Sequence, residues 1–371
     1  MQFITTGLDA ELLTDAIKHL PNLETIGMRD FHSRSRNRDN SAWASYGCPT
    51  FSKEAGPLVV PTIGIISRQD RGSEYTSHVF LTILRAIGNA ALCGASPNVT
   101  RIEVLLHTCE FPDYSFKIPD RFDAAISLAL SKLKAILLDG LVGEIDSSYL
   151  VVKGDDGNGI PGWGYFLSRF LARASSLEHL RLNFQKYDQS ATEKVLSWLA
   201  GAKVNFIESS TSANASGDLP AHFPPAPKFP KLQNIDIGMA TVTERVLLAL
   251  YKNYISTLRG ISLHKVTLEG KSDGTINLWA QLCNKLAKAG LDIRMLWLSF
   301  IWQKSRDPER RGQVTFKGSK NSDAKGWRGT TFSQSIKDIT GEMQSSWEDV
   351  DSDDIDDDDD DDEEEYSDDE F

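Results

Sequence analysis

Cysteine is scarce in this chain. Cys48, Cys93, Cys109 and Cys283 are scattered along 371 residues, and no CxxC pair occurs. That spacing argues against a disulfide framework or a zinc knuckle and fits reduced thiols inside a cell. Long apolar runs are also missing, and none approaches the roughly 18 residues needed to cross a bilayer. The opening MQFITTGLDAELLTDAIKHL lacks the basic start and extended apolar core of a secretory signal. A soluble, intracellular protein of the cytoplasm or nucleus is therefore expected, with no membrane partner, and the sequons at Asn98 and Asn214 are read as chance.

Motifs for catalysis and cofactors are absent too. The seven histidines fall in no HExxH, HxE or HxxxH spacing. His107 and Cys109 alternate on one extended stretch, but two ligands do not make a metal site. No GxSxG elbow occurs. The glycine-rich run from Lys153 to Gly159 is not followed by Gly-Lys-Ser/Thr, so it is not a phosphate loop. As a calcium loop it would need a closing glutamate where Phe166 or Leu167 stands. An exposed turn is the expectation there. No catalytic residue, metal or cofactor is predicted.

What the chain does have is a recurring aliphatic triplet. Hydrophobic residues make up 40% and charged residues 25%, ordinary globular values that allow a sizeable core. The triplet reads aliphatic, two variable positions, aliphatic, one variable position, aliphatic. It appears as Leu23-Ile26-Met28, Val99-Ile102-Val104, Leu133-Ile136-Leu138, Leu177-Leu180-Leu182, Leu232-Ile235-Ile237, Leu258-Ile261-Leu263 and Ile293-Leu296-Leu298. Its last two members share one face of an extended strand. Amphipathic stripes precede most of these strands, as in Trp163, Phe166, Leu167, Phe170 and Leu171. Breakers such as Pro21-Asn22, Pro97-Asn98 and Gly290 separate helix from strand.

Helix, turn and strand repeated in this way predict parallel pairing and a stack of units, each burying what its neighbour cannot bury alone. The expected fold class is therefore α/β: an irregular leucine-rich-repeat-like solenoid over 1–300, with parallel strands on one face and helices on the other. A three-layer α/β domain is the alternative. The triplets are unevenly spaced, and insertions are expected at 31–77 and 202–228. The asparagine or cysteine of a leucine-rich repeat is missing three residues past the last aliphatic, where Phe31, His107, Leu141, Gln185, Ala240 and Val266 stand. Outward positions along the sheet, Arg181, Asp236, Ser262 and Arg294, form the predicted binding face.

Charge is distributed asymmetrically. The net charge is −12, yet 18 acids and no Lys or Arg lie between Glu348 and Phe371. Ahead of them stand 34 acids and 40 bases, so a mildly basic body carries an acidic tail. Repulsion along Asp356–Asp362 and the following glutamates predicts a disordered segment over 346–371. Residues 301–345 are expected to form a cap over the last repeat. Within it lie Lys304, Arg306, Arg310, Arg311, Lys317, Lys320, Lys325 and Arg328, interleaved with Trp302, Phe316 and Trp327. Bases mixed with aromatics could contact nucleic acid, but the neighbouring tail competes for the same cations and argues against it. The tail could instead fold back onto this basic segment. Ser345, Ser346 and Ser367 have an acid at +3 and are candidate phosphorylation sites.

Leu20–Phe31, Trp43–Gly47, Ser175–Leu182 and the acidic terminus together resemble the filamentous-fungal F-box and leucine-rich-repeat-like proteins. The resemblance implies repeats that hold a ubiquitination substrate. It also implies an F-box that recruits a Skp1-type adaptor of a cullin ubiquitin ligase. No F-box pattern precedes the first repeat here, so the adaptor is expected only if an F-box exists upstream. The leading expectation is a non-catalytic protein–protein interaction scaffold. An acidic-tailed binder of basic proteins, histone-chaperone-like, is the second, and a hydrolase with a dispersed site is the third.

Overall fold

Each aliphatic triplet lies at a β-strand, because alternating burial needs two aliphatics on one side of an extended backbone. The structure is a computed structural model that describes residues 7–29, 68–95, 97–106, 109–142, 160–161, 164–184, 189–202, 207–208, 225–271, 276–306, 309–317, 323–328 and 332–349. The first three triplets lie at β1 (Thr25–Arg29), β2 (Arg101–Leu105) and β3 (Ala135–Leu141). A short pair, β4 (Ile160–Pro161) and β6 (Ile207–Glu208), flanks the fourth, at β5 (His179–Phe184). The remaining three lie at β7 (Asn234–Gly238), β9 (Gly260–His264) and β11 (Met295–Ser299). These seven triplet strands pair in sequence order, every pair parallel. The strand β14 (Ala324–Arg328) closes the far edge antiparallel to β11.

One backbone device repeats at the entry to each strand. The carbonyls of Glu24, Thr100, Lys134, Glu178, Gln233 and Arg259 each accept two amides from the next unit, at 2.7–3.1 Å. Arg294 is the last step of this ladder, since its amide and that of Met295 both donate to Arg259.

A second sheet begins where three of the strands end. After β7, β9 and β11 the chain turns at Met239, Lys265 and Phe300, all left-handed with φ of 50°, 50° and 49°. It then continues into β8 (Thr241–Thr243), β10 (Thr267–Gly270) and β12 (Trp302–Arg306), which pair in parallel. The turn residues are followed by buried Ala240, Val266 and Ile301. The Ala240 carbonyl accepts from Thr267 and the Val266 carbonyl from Trp302, at 2.8 and 2.9 Å. Neighbouring backbone thus satisfies these two carbonyls. The second sheet continues through β13 (Glu309–Phe316), with β15 (Met343–Ser345) and β16 (Glu348–Asp349) along its edge. The expected boundary at residue 301 therefore falls inside a sheet.

Eight α-helices are present among the described residues: α1 (Leu8–Lys18), α2 (Arg68–Leu92), α3 (Asp120–Lys132), α4 (Tyr165–Leu171), α5 (Gln189–Leu199), α6 (Glu244–Asn253), α7 (Leu278–Lys288) and α8 (Phe332–Glu342). The start of α2 at Arg68 shortens the insertion expected at 31–77. Inward residues Leu180, Leu182, Ile235 and Ile237 join Leu196, Leu199, Leu250 and Tyr254 of the helical layer in a closely packed core. At the other end, Phe80, Phe111, Phe116 and Phe170 form an aromatic cluster with centroids 4.9–5.7 Å apart. Half-buried Asp113 caps α4 from a distance, accepting from the amides of Phe166 and Leu167 at 3.0 and 2.9 Å. No helix among the described residues is long and apolar enough to cross a membrane.

Candidate protein-interaction face

Side chains that point away from the helical layer fall into rows across the strands. One row runs Gly27, Glu103, Leu137, Arg181, Asp236, Ser262, Trp297 and Gly326, each the register partner of the next. The structure thus brings Arg181, Asp236 and Ser262 side by side. Arg294 does not join them. It precedes β11 by one residue, is mostly exposed and lies 3.7 Å from Asp292. The outward position between Leu296 and Leu298 belongs to Trp297, just as Arg181 stands between Leu180 and Leu182. The same alternation, applied to the last triplet, identifies Trp297 from the sequence.

The row is not uniformly accessible. Glu103, Leu137 and Asp139 are buried, and β3 is buried on both faces. From β5 to β11 the outward residues His179, Arg181, Asn183, Asn234, Asp236, Ser262, His264, Met295 and Trp297 are half-buried. From β5 to β11 the face is thus a continuous run of half-buried groups.

Charges on the face are matched within it. Arg181 reaches Asp139 at 3.0 Å, and Nε2 of His179 lies 2.6 Å from Oδ2 of Asp236. Glu103 takes Arg101 at 2.6 Å and Arg29 at 3.7 Å. Nδ1 of His264 and Oγ of buried Ser299 share a hydrogen bond of 2.8 Å. Burial, with the positive charges of Lys265 and Arg181 nearby, pushes the His264 imidazole down to about 4, so it is neutral near pH 7. At the far end the Trp297 ring lies across Gly326, where any Cβ would collide with it. A large aromatic is thus held flat beside Met295 and Ser262.

No protein-family model matches the chain, and no curated protein matches it.

The other expected sites are dispersed. Lys304 lies on β12 and is half-buried; Arg306 ends that strand in register with Glu309. Arg310 and Arg311 lie on β13, and the Arg311 guanidinium stands 4.5 Å from the Trp302 ring centre. Lys317 is exposed just beyond β13. Trp327 packs edge-on to buried Phe316 at 5.7 Å. Ser345 pairs in β15 opposite Val314, and Ser346 is exposed after it. Lys320, Ser367, Cys48, the glycine-rich run 153–159, most of both insertions and the tail from 350 lie outside the described residues. Cys93, Cys109 and Cys283 are free thiols, and burial pushes Cys283 up to about 12. Among the described residues no group of three His, Cys, Asp or Glu could hold a metal. An open groove of about 350 Å³ between α6 and α7 is lined by Glu244, Arg245, Leu248, Ala249, Lys252 and Lys285.

Proposed function

We propose that the chain is a non-catalytic protein-interaction scaffold, a leucine-rich-repeat-like solenoid related to the substrate receptors of cullin-type ubiquitin ligases. Its partner is another protein, which binds across β5, β7, β9 and β11, and it works in the cytoplasm or nucleus. One observation carries the reading: sequential parallel strands align Arg181, Asp236, Ser262 and Trp297 on a half-exposed face opposite the helical layer. Stacked repeats commonly bind on such a sheet. Because Arg181 is paired with Asp139 and Asp236 is held by His179, recognition rests on shape, hydrogen bonds and Trp297. It does not rest on long-range attraction.

The acidic tail supports a second reading, capture of a basic protein by the 18 acids between Glu348 and Phe371. Affinity isolation of three chains separates the two. Under the sheet reading, the unaltered chain and a chain lacking 350–371 hold the same partner. A chain carrying Arg181→Glu with Trp297→Ala loses it. Loss on tail deletion, with the double variant unaffected, would overturn the sheet reading in favour of the tail.

A further inference from the structure

Three corners of the chain depart from a rule that it follows elsewhere. Among the described residues, glycine takes the left-handed backbone at Gly7, Gly94, Gly140, Gly164, Gly201 and Gly290. Met239, Lys265 and Phe300 take it with side chains in place. That conformation is disfavoured for an L-residue and free for glycine. All three stand at the same place in successive units, directly after the register partners Gly238, His264 and Ser299. Their amides repeat one bond, donating to the carbonyls of His264, Ser299 and Asp323 at 2.8, 2.9 and 2.7 Å. The corners therefore stack in a row, each about 4.8 Å from the next.

Core packing does not account for these side chains. Met239 and Phe300 are half-buried, yet neither belongs to the hydrophobic core or packs against it. They lie instead on the rim of the interaction face. The Phe300 ring meets the ring of outward-facing His264 edge-on at 5.8 Å, and the Lys265 ammonium lies 6.0 Å from the Phe300 ring centre. Among the described residues no carboxylate pairs with Lys265. Side chains kept on a disfavoured backbone, off the core and beside a contact surface, point to a role in contact.

We propose that Met239, Lys265 and Phe300 form a recognition ridge along the rim of the interaction face. It takes a short segment of a protein partner whose carboxylate meets Lys265 and whose apolar side chains meet Met239 and Phe300. From Met239 to Phe300 is two inter-strand steps, about 10 Å, the length of roughly three residues of extended chain. One segment can therefore fill all three positions. The assignment rests on the sheet being the binding face, and it adds the chemistry of what binds at the rim. A single ion pair acts at short range, setting which segment fits and in which register.

Selection from a random short-peptide library displayed on phage, with the full chain immobilised, tests it. Enriched peptides should carry Asp or Glu within about three residues of Leu, Ile, Phe or Met. Affinity for the most enriched peptide should fall several-fold with Lys265→Gln. It should fall further with Met239→Gly, Lys265→Gly and Phe300→Gly combined. Glycine suits all three corners, so this triple variant should unfold in urea no earlier than the unaltered chain. Earlier unfolding would make the side chains structural and overturn the ridge. Binding that survives the triple variant but is lost with Arg181→Glu and Trp297→Ala would overturn the ridge and leave the sheet reading standing. Enriched peptides that lack acids and show that same loss would do likewise. Peptides indifferent to both sets of substitutions, or no enrichment at all, would overturn both.

Discussion

Trp297 and His264 show how single positions on the sheet acquire their character from neighbouring strands. Trp297 keeps its orientation because Gly326 offers no side chain beneath it. His264 keeps its neutral state because burial disfavours the imidazolium. Free His titrates near 6.5, so this depressed folded value contributes stability above pH 6.5, and that contribution is lost as pH falls towards 4. Asp113 has the opposite sign. Burial raises its carboxyl to about 6, against 3.8 unfolded, so its contribution is present below 3.8 and lost as pH rises through 6. Between about pH 7 and about pH 5 the two effects oppose each other, at about 2 and about 1 kcal/mol. Denaturant titrations at both pH values should show His264→Gln gaining on the unsubstituted chain upon acidification and Asp113→Asn falling behind it. Parallel pH profiles for all three proteins would contradict both assignments. Arg181, Asp236 and Ser262 were legible from the sequence because each separates two inward aliphatics. Arg294 has only one inward aliphatic beside it, Ile293, and its backbone belongs to the entry ladder.

At the scale of elements, the seven triplet strands were legible and the second sheet was not. The triplets alternate clearly, but β8 is three residues long, and the inward side of β12 carries Gln303 and Ser305, both fully buried. Buried polar residues of this kind erase the alternation that marks a strand. Gln303 is buried because its Oε1 accepts the Leu278 amide at the start of α7, at 2.9 Å. The helix α5 leaves a weak trace in the sequence because its buried hydrophobics, Val195, Leu196, Trp198 and Leu199, cluster in its last turns behind a polar start. Two substitutions test how the elements are held. Asn277 caps α7 by accepting from Ala280 at 3.0 Å, so Asn277→Ala should lower stability by about 1 kcal/mol in urea unfolding. Lys265 turns the corner between sheets at φ 50°, a conformation that disfavours side chains. Lys265→Gly should therefore be neutral or stabilising by up to about 1 kcal/mol, whereas the same change at a right-handed helical position should destabilise.

The whole molecule separates two kinds of electrostatics. On the main sheet, Arg181 and Asp139 cancel locally, and the Asp236 carboxylate is held by His179 at 2.6 Å. Along the second sheet, the cations Lys304 and Arg311 stand in register with each other. Partner binding across β5–β11 should accordingly change little when salt is raised. The charge reversal between body and tail was visible in composition alone. The point at which the tail's root meets the body depends on the register of β13 with β16, which composition does not encode.

Placing a photo-reactive residue at Ser262, on the outward row, and separately at Lys252, on the helical layer, tests the central claim most directly. The account predicts that the partner cross-links to the Ser262 chain and not to the Lys252 chain, and that Trp297→Ala abolishes the adduct. Equal adducts from both positions, or an adduct that survives Trp297→Ala together with Arg181→Glu, would contradict it.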